Sequence, residues 1–336
     1  NPEFTEDKTI FRTWRERAEN EGLRIKIGRW NIKGRPVAIL VDFTQYFSTK
    51  DRILAEFWEK YKLDSITGSW DYFEPALFGY AAGKVIESFY EYSLTAQDKI
   101  VAQFHEWMTG SGILYLNDRV PQIGTAFTTH ATVVGRCIAG NNLPLYSKFD
   151  EYNGDAMASR FHVTAKHSLE HIAAVESDVF TTVSKLTANE CSQFLLREPD
   201  VITPNGFDDA LFLDEDTLLA KRQAAREKLL TVAQAVTGNP LPEDTLLLLN
   251  SGRYEFRNKG IDLFLDALAN LNHNEKLTYP VVAFITIPAH HSGPVPGLHE
   301  KIESGVLDTA EEPRFLTHGL FEPDYDPILR RLKENR

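Results

Sequence analysis

Apolar residues along this chain follow two periods that alternate. Short apolar runs reading as strands lie at Lys99–Phe104, Gln122–Phe127, Val179–Val183, Val201–Thr203, Leu246–Asn250 and Val281–Thr286. Stretches with the three- and four-residue spacing of an amphipathic helix follow His105, follow His130, cover Lys185–Leu195 and start again at Gly260. Two longer helices are expected, Tyr72–Tyr92, where Ala81-Ala82-Gly83 permits close packing, and Ala156–Glu176. Strands and helices alternating in this way predict an α/β fold, a parallel sheet with helices on both faces. Ahead of it the pattern predicts a charged helix within residues 1–21, with Phe11, Trp14 and Ala18 on one side. Two β-rich segments then follow, Arg24–Ile32 and Pro36–Phe43, joined by a hairpin at Lys33-Gly34-Arg35, and after them a helix over Thr49–Tyr61. The acidic, irregular stretch Asp208–Asp216 reads as a linker, dividing the chain into domains 1–210 and 211–336, the second opening with a helix over Thr217–Val236. Pro288–Gly297 reads as a proline-rich loop, and the remainder is weakly patterned.

The stretch Leu246–Gly260, LLLLNSGRYEFRNKG, stands out chemically. Its leucines and Asn250 read as a buried parallel strand that Ser251 and Gly252 end. Arg253 and Lys259 then bracket a loop that runs into the next helix. A lysine at a strand-to-helix turn lies beside helix N–H groups that favour an anion, and an arginine six residues earlier adds a planar, permanent cation. That pairing suits a diphosphate, the plain alternative being a helix-start lysine and a solvated arginine.

At 336 residues with 43% apolar content, the chain is long enough for two ordinary domains with real cores. A net charge of −12 argues against nucleic acid or anionic membrane as a main partner. Cys137 and Cys191 make no disulfide framework, so the cytosol is the natural compartment. No apolar run reaches the length of a membrane span, and the polar, acidic start NPEFTEDKT is unlike a signal peptide. With no initiator Met, and an end on RRLKENR, both termini read as cuts in a longer protein.

In parallel α/β sheets, ligands bind beyond the carboxyl ends of the strands. Unusual polar residues recur there: His105-Glu106-Trp107, Thr128-Thr129-His130, Asn205, and Arg253 with Lys259. The dinucleotide fingerprint G-x-G-x-x-G, the phosphate loop G-x-x-x-x-G-K-S/T and the elbow G-x-S-x-G are all absent. His167 and His171 have the spacing of a zinc pair but lack a specific third ligand, so helix packing is the better expectation, and His290-His291 likewise lack partners.

Several stretches together resemble one family. They are GRWNIKGRPVAILVDF (28–43), ALFGYAAG (76–83), VAQFHEWMTG (101–110), FTTHATVVGR (127–136), DVFTTVSKLTANE (178–190), ITPNGF (202–207) and SGRYEFRNKG (251–260). In this order they resemble the eukaryotic-type glycogen synthases, retaining glycosyltransferases that use UDP-glucose. The resemblance implies a GT-B architecture, two Rossmann-like domains with a cleft between them, the second incomplete here. It implies that His130 lies near the transferred glucose and that Arg253 and Lys259 hold the UDP diphosphate. Arg136 and Asn205 would line the cleft, and His105, Glu106 and Thr129 would form its wall. For Arg136 a surface ion pair, for Asn205 a turn and for Glu106 a helix cap are the alternatives. No metal or other cofactor is expected, since two cations can neutralise the diphosphate. The implied partners are UDP-glucose and an α-1,4-glucan such as glycogen, with homo-oligomerisation left open. The family's first strand and its Gly-Gly loop would precede Asn1. A glutamate pair, a uracil-stacking residue and an arginine-rich regulatory helix would follow Arg336. The competing readings are a catalytically silent glucan-binding scaffold and a relative using another sugar nucleotide.

Overall fold

The first element is a strand, where the pattern predicts only a helix. β1 (Phe4–Glu6) pairs antiparallel with β2 (Ile25–Trp30), and the charged helix α1 (Arg12–Asn20) connects them. Phe4 meets Trp30 edge-on at 5.8 Å, a cross-strand aromatic pair that fixes so short a strand. The strands can approach because position 28 is glycine: a Cβ there would overlap Thr5 O. The expected hairpin returns through Gly34, at φ +84°, into β3 (Val37–Val41). The structure is a computed structural model and describes residues 3–95, 97–209, 212–307 and 314–335. Contacts divide the chain into two units, Asn1–Ala139 with Leu143–Gly206 and Gly140–Asn142 with Phe207–Arg336. The expected domain boundary at 210–211 falls outside the described residues.

In the first unit, α2 (Lys50–Tyr61) and α3 (Trp70–Ser93) precede a parallel sheet. Its elements are β4 (Val101–His105), α4 (Ser111–Arg119), β5 (Gly124–Thr129), α5 (Val133–Gly140), α6 (Gly154–Arg160), α7 (Thr164–Glu176), β6 (Val179–Thr182), α8 (Lys185–Phe194) and β7 (Val201–Ile202). The strand order is β4-β5-β6-β7, all parallel. Phe104, Phe127 and Phe180 stand in register across three strands, and their side packs into one core with Ile113, Leu114, Leu169, Ala173 and Cys191 from α4, α7 and α8. The other side carries Val101, Val179 and Val201, which are 70%, 40% and 51% exposed. Helices were expected on both faces. Strands added in sequence order through right-handed crossovers put successive helices on the same face, so α4, α7 and α8 share one.

The single long helix expected over Ala156–Glu176 is two. α6 stops where His162 takes φ +57°, with Val163 N–H bonded back to Ala158 O at 2.9 Å, and α7 restarts at Thr164. This is a left-handed helix stop formed without glycine, which apolar spacing does not reveal.

The second unit holds α9 (Glu215–Thr237), β8 (Leu246–Ser251), α10 (Ile261–Asn272), β9 (Val281–Thr286), β10 (His291–Pro294), α11 (Leu298–Ser304), β11 (His318–Leu320) and α12 (Pro327–Glu334). β8 and β9 pair in parallel, with Leu246 opposite Val281 and Ser251 opposite Thr286. The leucine strand was expected to be buried. Instead, Leu246 and Leu249 are exposed, since β9 is its only strand neighbour among the described residues. Of the linker expected over Asp208–Asp216, residues 210 and 211 lie outside the described residues and α9 begins within it, at Glu215. The proline-rich loop and the tail also carry structure. β10 and β11 pair antiparallel, and Arg331 on α12 grips Asp266 on α10 through two bonds of 2.6 and 2.7 Å. The ion pair adds to an apolar stripe on α12, where Ile328, Leu329 and Leu332 are half-buried.

Candidate active site

Two imidazoles meet at the carboxyl edge of the parallel sheet. His105 ends β4 and His130 immediately follows β5, its register neighbour, and His105 Nδ1 lies 3.1 Å from His130 Nε2. One ring donates and the other accepts, so at this pair of atoms only one nitrogen carries a proton. Burial and the neighbouring His130 both push the His105 pKa below its ordinary value, against the opposing charge of Glu106. His105 therefore stays neutral near pH 7.

Glu106 holds the arrangement from beneath. Its Oε1 accepts the His130 backbone N–H at 3.1 Å, while its own N–H continues the sheet ladder to Thr128 O at 2.8 Å. Its backbone sits at φ +64°, ψ 160°, a region that glycine alone occupies at ease and that costs other residues about 1–3 kcal/mol. Strain held in place at a strand end marks a site where position matters more than stability. Replacing Glu106 by Gly or by Ala removes the same carboxylate, so only the backbone term separates the two. Thermal melts are expected to show Glu106→Gly more stable than Glu106→Ala by about 1 kcal/mol or more, the reverse of an ordinary position. Equal melting temperatures would exclude the strain.

The turn after β5 is gripped from behind by two buried carboxylates that the sequence analysis does not single out. Thr129, fully buried, donates through Oγ1 to Glu170 Oε1 at 2.9 Å, and Val133 N–H, at the start of α5, donates to Glu170 Oε2 at 2.9 Å. Thr132 Oγ1 donates to Glu190 Oε2 at 2.7 Å, and the Tyr146 hydroxyl donates to Glu190 Oε1 at 2.7 Å. Thr132 Oγ1 also accepts the Gly135 N–H at 3.1 Å, and a Cβ on Gly135 would overlap the Glu190 carboxylate. Burial, with the charges of Glu106 and Glu190 adding to it, drives the Glu170 pKa up to about 8, only partly offset by the bonds from Val133 and Thr129. The sequence does hold a signal for it: Glu170 sits inside the apolar spacing of α7, between Leu169 and Ala173, where a carboxylate without a purpose is costly.

Arg136 lies on α5, half-buried, on the helix that this turn opens. Asn205 lies beyond β7 in irregular, exposed chain, two strands away from β5 on the same carboxyl edge. The first unit thus brings His105, Glu106, Thr129 and His130 together, with Arg136 one turn further on and Asn205 apart from them.

Arg253 and Lys259 belong to the second unit. Arg253 is exposed and pairs with Glu255 at 3.0 Å. Lys259 is exposed, and the middle of its aliphatic stem lies beside Gly252, just past the end of β8. The helix end itself is more occupied than the spacing suggests. Ile261 and Asp262 N–H both point at Phe256 O, at 3.0 and 3.3 Å, and Asp262 already places a carboxylate in the first turn of α10. An anion here would be held by the two side-chain cations more than by free helix N–H groups.

His167 and His171, the pair with the spacing of a zinc site, each have a neighbour close at hand. His171 Nδ1 meets Leu195 O at 2.8 Å, and His167 is buried with Nε2 3.3 Å from Asp155. Among the described residues no cluster of three metal-ligating side chains occurs.

The family model described as glycogen synthase matches residues 3–300 of this chain. The chain belongs to the glycogen synthase family. It is 33% identical over 298 residues to a glycogen (starch) synthase of Neurospora crassa, covering 86% of this chain and 40% of that protein. The corresponding protein of Dictyostelium discoideum is 34% identical over 281 residues, covering 80% of this chain and 31% of its own length. Isoform 2 of Saccharomyces cerevisiae is 32% identical, covering 82% and 40%. The chain thus spans less than half the length of these glycogen synthases. The solved structure described as OtsA apo structure aligns over 93% of this chain at 12% identity and a TM-score of 0.40, a likeness too loose to bear on function.

Proposed function

We propose that this chain is part of a glycogen synthase with GT-B architecture that transfers glucose from UDP-glucose to the 4-hydroxyl at the non-reducing end of an α-1,4-glucan, with retention of configuration. The observation that carries the proposal is the imidazole pair at the carboxyl edge of the parallel sheet, held over a strained glutamate, in a chain of this family. A sugar leaving a nucleoside diphosphate develops positive charge at its anomeric carbon and negative charge on the departing phosphate. Arg253 and Lys259 are the groups suited to the phosphate. Their charge is fixed before reaction, which is how preorganised cations lower such barriers. Arg253 would exchange its Glu255 contact for the diphosphate. His130, tied to a neutral His105, would face the sugar with a lone pair or a donor in defined orientation. No second carboxylate is required to attack the sugar, and no metal is required to hold the phosphates.

Among the described residues no helix is long and apolar enough to cross a membrane, and we place the reaction in the cytosol, where glucan and sugar nucleotide meet. A release assay on the full-length protein with glycogen tests the proposal. UDP should appear from UDP-glucose at least tenfold faster than ADP from ADP-glucose. Glycogen binding without release of either nucleotide would instead identify a silent glucan-binding protein. Faster ADP release would assign the other donor.

A further inference from the structure

We propose that Glu170 and Glu190 are positioning residues for His130: two carboxylates inside the first unit clamp the turn Thr129–Gly135 on both sides of the imidazole and thereby fix its aim at His105. This rests on the glucosyl-transfer reading of the site.

The geometry is specific. His130 follows a strand whose last residue, Thr129, is tied at Oγ1 to Glu170 at 2.9 Å and at its carbonyl to Thr182 Oγ1 at 2.8 Å. Three residues on, Val133 N–H returns to the same Glu170 carboxylate at 2.9 Å. One side chain from α7 therefore brackets His130 on both sides. Glu190, from α8, takes Thr132 Oγ1 between those two points at 2.7 Å, and Tyr146 closes its other oxygen. On the other side, the His130 backbone N–H bonds to Glu106 and its Nε2 meets His105.

Burying two polar carboxyl groups to hold one turn is costly if the turn only had to be stable. Apolar side chains of similar volume often do that better. Directional bonds do what apolar packing does not: they set the orientation of a short segment to a fraction of an ångström. A displacement of about 1 Å at a reacting group can cost up to ~10²-fold in rate. Neither carboxylate touches the sugar or the diphosphate in this proposal. Both act through the turn, so their loss belongs in turnover and not in donor affinity.

The test uses the full-length protein and the variants Thr132→Val, Glu170→Ala and Glu170→Gln. Thr132→Val removes the hydroxyl that Glu190 holds while keeping the side-chain shape, so it serves even if Glu170→Ala fails to fold. Two readouts are needed: kcat and KM for UDP-glucose, and the rate at which diethyl pyrocarbonate labels His130 and His105, followed by peptide mass spectrometry without substrate. Thr132→Val and Glu170→Ala are expected to lower kcat tenfold or more with KM within threefold. They should also speed His130 labelling at least threefold, because its Nε2 is no longer held against His105. Glu170→Gln, whose amide oxygen can accept the Val133 N–H while its NH₂ donates to Thr129 Oγ1, should restore both readouts to within threefold of wild type. Unchanged His130 labelling in both disruptive variants overturns the proposal, as does wild-type kcat. If the wild-type protein shows no glucosyl transfer, the functional reading fails, and the labelling rates alone still decide whether the clamp sets the imidazole.

Discussion

Replacing Lys259 by Ala, or Arg253 by Ala, in the full-length protein is expected to lower glucosyl turnover by ~10²-fold or more, the scale of loss seen when one preorganised charge-stabilising donor is removed. The two cations rise from opposite ends of one loop, and the middle of the Lys259 stem lies beside Gly252, just past the strand that precedes Arg253. Both are exposed, so neither contributes measurably to folding, and melting temperatures should stay near wild type. A large rate loss with unchanged stability is thus the combined signature. Arg253→Lys should recover little, because a point charge does not reproduce a fork that binds two phosphate oxygens at once. Wild-type turnover in both alanine variants would remove the diphosphate assignment and with it the role given to the second unit.

The second large effect is on stability and depends on pH. The Glu170 carboxyl, ordinarily titrating at 4.5, titrates at about 8 in the folded chain because burial penalises its charged form. Between these values the folded chain keeps a proton that the unfolded chain has released. Stability from this group is therefore fully present below pH 4.5 and is lost as pH rises through about 8. Glu170→Gln cannot ionise, and its amide oxygen can take the Val133 N–H while its NH₂ donates to Thr129. The variant should match wild type near pH 5 and exceed it near pH 8.5, with a ceiling of roughly 5 kcal/mol at ~1.4 kcal/mol per pKa unit. Glu106 and Glu190, whose charges add to the shift, are present in both proteins. Melting curves at the two pH values are the measurement. A gap that does not widen would mean that Glu170 is ionised in the folded protein.

Much of this architecture is legible in the sequence for physical reasons. β4, β5, β6, β8 and β9 fall within a few residues of their expected places because a strand covered on at least one side needs a short apolar run. His105 and His130 are legible because a polar residue directly after such a run stands at the sheet edge. The exceptions share a cause, which is that long-range partners decide them. β1 is three residues long and owes its form to Trp30, 26 positions away. The stop at His162 is a single left-handed residue, and the arginine–aspartate pair that helps to dock α12 joins residues 65 positions apart. Glu170 is a different case: its place inside the apolar spacing of α7 is legible, but the turn it holds belongs to other elements and is not.

The valines left in water on one side of the parallel sheet have a practical consequence for handling the chain. Sulfate and other ions excluded from protein surfaces favour any state that hides such a patch. Val101, Val179 and Val201 lie on the side without α4, α7 and α8, so raising the concentration of such an ion should favour any state in which that patch is covered.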